Sequence, residues 1–352
     1  MAASSETYIE LLERLIATPS LGKEEDKTAD IITDFFRIQS IEYQRIKNNV
    51  IVKSKHFDDS KPTILLNSHH DTVKPNVSWK KDPFTPVVID GKLYGLGSND
   101  AGGCLVSLIA SFIHFYDEKK LRYNLVLAAT AEEEISGKNG IELIIPELDE
   151  IAFAIVGEPT MLQMSVAEKG LMVLDCLTKG KSGHAARNEG VNAIYKALKD
   201  IEWFQNFKFD RSSDLLGDIK MSVTVINAGT QHNVVPDECH FVVDVRSTDA
   251  YANHEILDII SQHVSCEVTP RSTRLQPSGL PLGHILYKCA EELKLKTYGS
   301  PTLSDQALMP FPSIKMGPGD SARSHTADEY VEIQEVKDGI ELYIELLSKI
   351  LV

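Results

Sequence analysis

Short continuous apolar runs alternate with longer amphipathic segments through the first 165 or so residues, and few folds accept that rhythm. The runs NNVIVKS, PTILLNS, YNLVLAATA and AFAIVGE read as buried strands. Between and before them, ETYIELLERLI, DKTADIITDFFRIQ, AGGCLVSLIASFIHFY and GKNGIELIIPEL carry the period of helices. Strands that alternate with helices predict a mainly parallel mixed sheet with helices on both faces, an α/β fold. Near residue 168 the rhythm changes. The stretch 171–274 reads strand LMVLDCLT, helix VNAIYKALKDIEWF, strands KMSVTVIN and ECHFVVDVRS, helix NHEILDIISQHV and strand CEVTPRS. This βαββαβ order is that of a small ferredoxin-like α+β domain. GHILYKCAEELKL, SIKMGP and VKDGIELYIELLSKI then resume the first style. The expected organisation is one domain over 1–167 and 275–352, with a second inserted over 168–274.

Composition narrows the partners. The 352 residues are 43% hydrophobic and 25% charged, an ordinary globular balance, with a formal charge of -15. Nucleic acid and anionic membranes need clustered Lys and Arg, which this chain does not concentrate, so a small molecule is the expected partner. The opening MAASSETYIELLERLIATPS has charges inside its apolar pattern and reads as an amphipathic helix rather than a signal peptide, and no later stretch approaches a membrane span. Five scattered cysteines without CxxC spacing indicate neither a disulfide framework nor a thiolate metal site. These features predict a cytoplasmic protein.

The strands of the first domain end in unusual residues. TILLNSHHD ends in His69, His70 and Asp71; LVLAATAEEE ends in Glu132, Glu133 and Glu134; AFAIVGE ends in Glu158; SIKMGPGDSARSH leads through a glycine turn to His325. Open α/β sheets bind ligands beyond the carboxyl ends of their strands, so these groups are expected to converge. Asp100, in YGLGSNDAGG, precedes a helix, where its ordinary role is an N-cap. The two-residue strand period puts His69 and Asp71 on one side and His70 on the other, so His69 reads as a ligand whose ring Asp71 fixes, and His70 as structural. Two histidines and three carboxylates exceed one tetrahedral zinc but suit two, with one carboxylate bridging. Within the triplet, Glu134 then binds metal, Glu133 is left to handle the proton of water, and Glu132 reinforces the field.

SHHDTV, LYGLGSNDAGG, TAEEEISG, VGEPT, KSGHAA and GPGDSARSHTADEYV, in this order over nearly the whole chain, resemble the dinuclear zinc family of acetylornithine deacetylase, succinyl-diaminopimelate desuccinylase and glutamate carboxypeptidase. The resemblance is strongest to its acetylornithine deacetylase-like members. It implies two zinc ions, with Co²⁺ or Mn²⁺ as substitutes: His69 and Glu158 on one, Glu134 and His325 on the other, Asp100 bridging. Asp71 would orient His69, and Glu133 would be the general base and acid of amide hydrolysis. It also implies that the inserted domain is a lid that forms a homodimer, and that His184 stabilises the oxyanion, reaching the site of the other subunit. Arg246 is a candidate clamp for a substrate carboxylate, because guanidinium pairs with carboxylate bidentately. Asn233 and Lys169 match positions near the substrate. The chain departs from the family pattern at Ser68, Asn99, Ala101 and Glu132, none of them a ligand. The expected substrate is an N-acyl amino acid, N-acetyl-L-ornithine first, as in arginine biosynthesis. The alternatives are N-succinyl-ornithine, N-succinyl-diaminopimelate, N-acetyl-lysine, N-acetyl-citrulline, or a di- or tripeptide. A further cation such as Lys169 or Arg187 would favour a succinyl group.

Overall fold

The computed structural model describes residues 4–352. They divide into two compact units: the described chain up to Val166 with Leu280–Tyr298 and Ser304–Val352, and Ala167–Gly279 with Gly299–Leu303.

The first unit is built on a mixed sheet in the order Gln44–Ile46, Asn49–Lys53, Asn124–Thr130, Thr63–His69, Ile151–Val156, Ser313–Lys315, Met164–Glu168. Its four middle strands, from Asn124–Thr130 to Ser313–Lys315, are mutually parallel, and the strands flanking them pair antiparallel. TILLNSH and NLVLAAT are buried along their whole length, as strands covered on both faces must be. The helix Gly103–Phe115 is mostly apolar and buried apart from its last turn, and packs on Ile333–Leu351. The helix expected over 137–148 forms only at Ile141–Ile144, followed by a 3₁₀ turn to Glu147. Two causes act: Pro146 cannot continue the ladder, and Asn139 is held by the Glu132 carboxylate through its backbone N–H and its side-chain amide. A three-stranded sheet, Tyr330–Glu332, Lys92–Tyr94 and Val87–Ile89, has no signal in the apolar pattern because its strands are three residues long and partly exposed.

The second unit has a four-stranded antiparallel sheet in the order Lys220–Ala228, Glu238–Ser247, Gly170–Lys179, Glu267–Pro270. With strands numbered along the chain this is 2-3-1-4, the arrangement of the split βαβ fold. The helices Ala193–Asn206 and Asn253–His263 bury Met172, Leu174, Phe241, Val243 and Val245. A short ribbon pairs Gly183–His184 with Val234–Val235. All five cysteines are buried free thiols. No helix among the described residues is long and apolar enough to cross a membrane.

Candidate metal centre

The four parallel strands deliver their last residues to one end of the sheet. His69 closes its strand and is buried, and its Nε2 lies 3.3 Å from Asp100 Oδ1, 3.8 Å from Glu158 Oε1 and 3.9 Å from Glu133 Oε2. His325 Nε2 lies 2.9 Å from Glu134 Oε2 and 3.6 Å from Asp100 Oδ2. The two oxygens of Asp100 therefore face two different histidines. One atom each from His69, Asp100 and Glu134 fall within 4.8 Å of one another, close enough to share an ion.

Asp71 has no exposed side-chain surface, and it does more than the strand period suggests. His69 Nδ1 lies 3.0 Å from the Asp71 carbonyl oxygen and 3.5 Å from the carboxylate, so the main chain gives the shorter contact to the ring. The carboxylate accepts from the Glu133 and Glu134 backbone N–H groups, each at 3.1 Å, which fixes the triplet loop. Glu132 turns away. Its backbone is left-handed at φ 58°, its N–H donates to Glu25 and its carboxylate is taken up by Asn139, so its place is in the loop rather than in the field of the site. His70 faces the opposite side, bonded to Thr28 and the Asn48 carbonyl, and burial pushes it down to about 4.

Asp100 is not an N-cap; the following helix is preceded by Gly102, and Asp100 sits in extended backbone, φ -119° and ψ 96°. Its neighbour Asn99, a departure from the family pattern, brackets Asp320: the side-chain carbonyl accepts from the Asp320 N–H at 3.0 Å and the amide donates to the Asp320 carbonyl at 3.1 Å. Gly319 makes that approach possible. It is left-handed at φ 89°, and a Cβ there would collide with Asn99 Oδ1.

Like charges crowd this cluster. Burial pushes the Glu133 carboxyl well up, and although His69 opposes this, Glu158, Asp305 and Glu134 push it further. Burial likewise raises Glu134, against the pull of His325. The Glu134 hydrogen bond carries His325 up to about 9. Four clustered carboxylates with imidazole nitrogens among them are the donor set that a divalent metal satisfies.

Two buried acids stand behind this cluster without any signal in the sequence pattern. Asp305, raised by burial to about 6, accepts from Thr130 Oγ1 at 2.8 Å. Glu329, raised to about 8 by burial and by Asp100, accepts from the Asn99 and Asp100 backbone N–H groups. Glu329 lies inside the GPGDSARSHTADEYV motif, but its spacing gives it no role; only the folded chain brings it to residue 100.

The model of peptidase family M20/M25/M40 matches residues 65–349. The chain belongs to this family. As an M20 protein it is a metal-dependent hydrolase of linear amide bonds. The acetylornithine deacetylase of Proteus mirabilis is 26% identical over a 376-residue alignment that covers 97% of this chain and 96% of that protein. A tripeptidase of Staphylococcus aureus has the same fold, with a TM-score of 0.80 at 20% identity over 99% of both chains. A dinuclear metal-binding M20 peptidase of Bacillus subtilis superposes with a TM-score of 0.75 at 18% identity, over 99% of this chain and 98% of that one.

The remaining predicted residues of the M20 chain lie in the second unit. His184 is exposed on the short ribbon, and its Nδ1 accepts from the Ala186 N–H at 3.1 Å, which leaves Nε2 as the donor of the neutral ring. Asn233 is held beside it, its carbonyl accepting from the Ala185 N–H at 3.0 Å. Arg246 is bonded through Nε and Nη2 to Asp244 on its own strand, so only the rest of its fork is open to another carboxylate. Lys169 donates to the Asp218 carbonyl at 2.6 Å, and burial lowers its pKa.

Proposed function

We propose that this M20 enzyme hydrolyses the amide of an N-acyl amino acid in the cytoplasm, N-acetyl-L-ornithine or a close relative, as a step of arginine biosynthesis. The observation that carries the dinuclear reading is the placement of the two Asp100 oxygens against His69 and His325 separately. We assign His69 and Glu158 to one zinc, Glu134 and His325 to the other, and Asp100 to both. When bound, the metal pair supplies Lewis acidity, lowering the pKa of water and polarising the scissile carbonyl.

The chain's own residues handle the rest. Glu133, anchored by its backbone on Asp71 and raised by burial, takes a proton from the attacking water and returns it to the leaving amine. The Nε2–H of His184 is the proposed donor to the developing oxyanion. Arg246, Asn233 and Lys169 are the proposed substrate contacts. The edge strand Lys220–Ala228, paired on one side only among the described residues, with Val225 and Ile226 about half exposed, and Tyr195 exposed on the neighbouring helix, supports a homodimer formed through the second unit.

The Staphylococcus aureus tripeptidase supports a second reading, a small-peptide hydrolase. Hydrolysis of N-acetyl and N-succinyl ornithine, lysine, citrulline and diaminopimelate, beside di- and tripeptides, separates the two: turnover confined to peptides would overturn the deacylase reading. Arg246→Ala is expected to raise KM for substrates with a free α-carboxylate while sparing those in which it is amidated. An equal loss on both would show that Arg246 only holds Asp244.

A further inference from the structure

Asp100 is asked to hold a defined position, yet its own turn supports it weakly. It lies inside the single π-turn Ser98–Gly102 with non-helical φ/ψ, three residues before the helix that begins at Gly103, so that helix's ladder does not reach it. A further hold comes from 229 residues along the chain. Glu329 is buried, 2% exposed, and its Oε1 accepts both the Asn99 N–H at 2.9 Å and the Asp100 N–H at 3.0 Å.

The same short segment grips the chain between the two ligands at several points. The His325 carbonyl accepts from the Asn76 amide at 3.4 Å. Asp328 Oδ1 accepts from the Lys80 and Lys81 backbone N–H groups at 3.0 and 2.9 Å. The Glu329 carbonyl accepts from the Gly95 N–H at 3.0 Å. The five residues from His325 to Glu329 thus act as a template for the segment 76–100, and one of them is itself a proposed ligand.

We infer that Glu329 is a positioning residue for the metal pair: through the Asn99 and Asp100 amides it sets the Asp100 carboxylate, and it ties that carboxylate to His325, four residues before it. The inference rests on the ligand assignment proposed above. The Glu329 carboxyl faces the backbone N–H groups of Gly97, Asn99 and Asp100, so the loop needs an acceptor of this reach at this place. A glutamine at this position keeps the shape, but its NH₂ group can only donate and cannot serve donors that converge on it. Its effect should therefore appear in metal affinity, because partners that orient ligands typically contribute about 10- to 100-fold.

The test measures Zn²⁺ affinity of the full chain by competition with a chromophoric chelator, for wild type, Glu329→Gln and Asp328→Asn, with the far-ultraviolet circular dichroism and thermal unfolding of each metal-free protein alongside. Glu329→Gln is expected to bind zinc about 10- to 100-fold more weakly while its metal-free form stays folded. Asp328→Asn, which loosens Lys80 and Lys81 but not Asp100, is expected to keep wild-type affinity. Wild-type affinity in Glu329→Gln overturns the inference, and so does an equal loss in Asp328→Asn, which would mark a general loop tether. A metal-free Glu329→Gln chain that is unfolded overturns it as well, since the residue would then hold the fold and not the ligand. Failure of the wild type to take up zinc would instead contradict the ligand assignment.

Discussion

Glu133→Gln is expected to lower turnover by about 100- to 10,000-fold, the usual contribution of a positioned proton carrier, while metal content stays near that of the wild type. The amide has the shape of the carboxylate but cannot take a proton. Neither the strand end at His69 nor the anchoring of the triplet on Asp71 depends on that side chain, because the anchor is the Glu133 backbone N–H. Glu134→Gln should behave differently. Its carboxylate lies 2.9 Å from His325 Nε2 and belongs to the group with His69 and Asp100, so its loss should release metal before it alters the chemistry. Parallel assays of bound metal and single-turnover rate distinguish the two. The reverse pattern, with Glu133→Gln losing metal and Glu134→Gln keeping it, would shift the assignment by one residue.

His184→Ala is expected to cost about 100- to 1,000-fold in kcat, the range for removing one preorganised oxyanion donor, with zinc content unchanged. The hydrogen bond from Ala186 fixes which nitrogen carries the proton, so the donor is set before substrate arrives. If His184 serves the site of a second copy, mixing inactive His184→Ala chains with inactive Glu133→Gln chains should restore activity, since some sites then receive both intact residues. Confirmed subunit exchange with no recovered activity would confine His184 to its own chain.

The sequence was most legible where one physical requirement dominated. Buried parallel strands must be apolar throughout, so PTILLNS and YNLVLAATA declared themselves, and their ends pointed to the histidines and acids that the fold brings together. The alternation of strand side chains separated His69 from His70, and His70 is indeed turned to Thr28 and Asn48. Legibility failed where the deciding contact is long-range. Glu132 looks like one charge of three until its left-handed backbone and its bonds to Glu25 and Asn139 are seen. Glu329 and Asp305 fall outside any periodic pattern, and their partners are 229 and 175 residues away. Asn99 read only as a departure from the family until its bracket on Asp320 and the left-handed Gly319 gave it a function. The residue type of Arg246 says nothing of the Asp244 carboxylate that it meets on the same strand.

The central claim is that Asp100 joins two metal ions, one beside His69 and one beside His325. Metal analysis of zinc-saturated protein, with kcat followed as zinc is added back to the metal-free chain, tests it most directly. The account predicts uptake approaching two ions per chain, with Asp100→Ala unable to retain the pair. Full activity with uptake that stops at one ion per chain would contradict it.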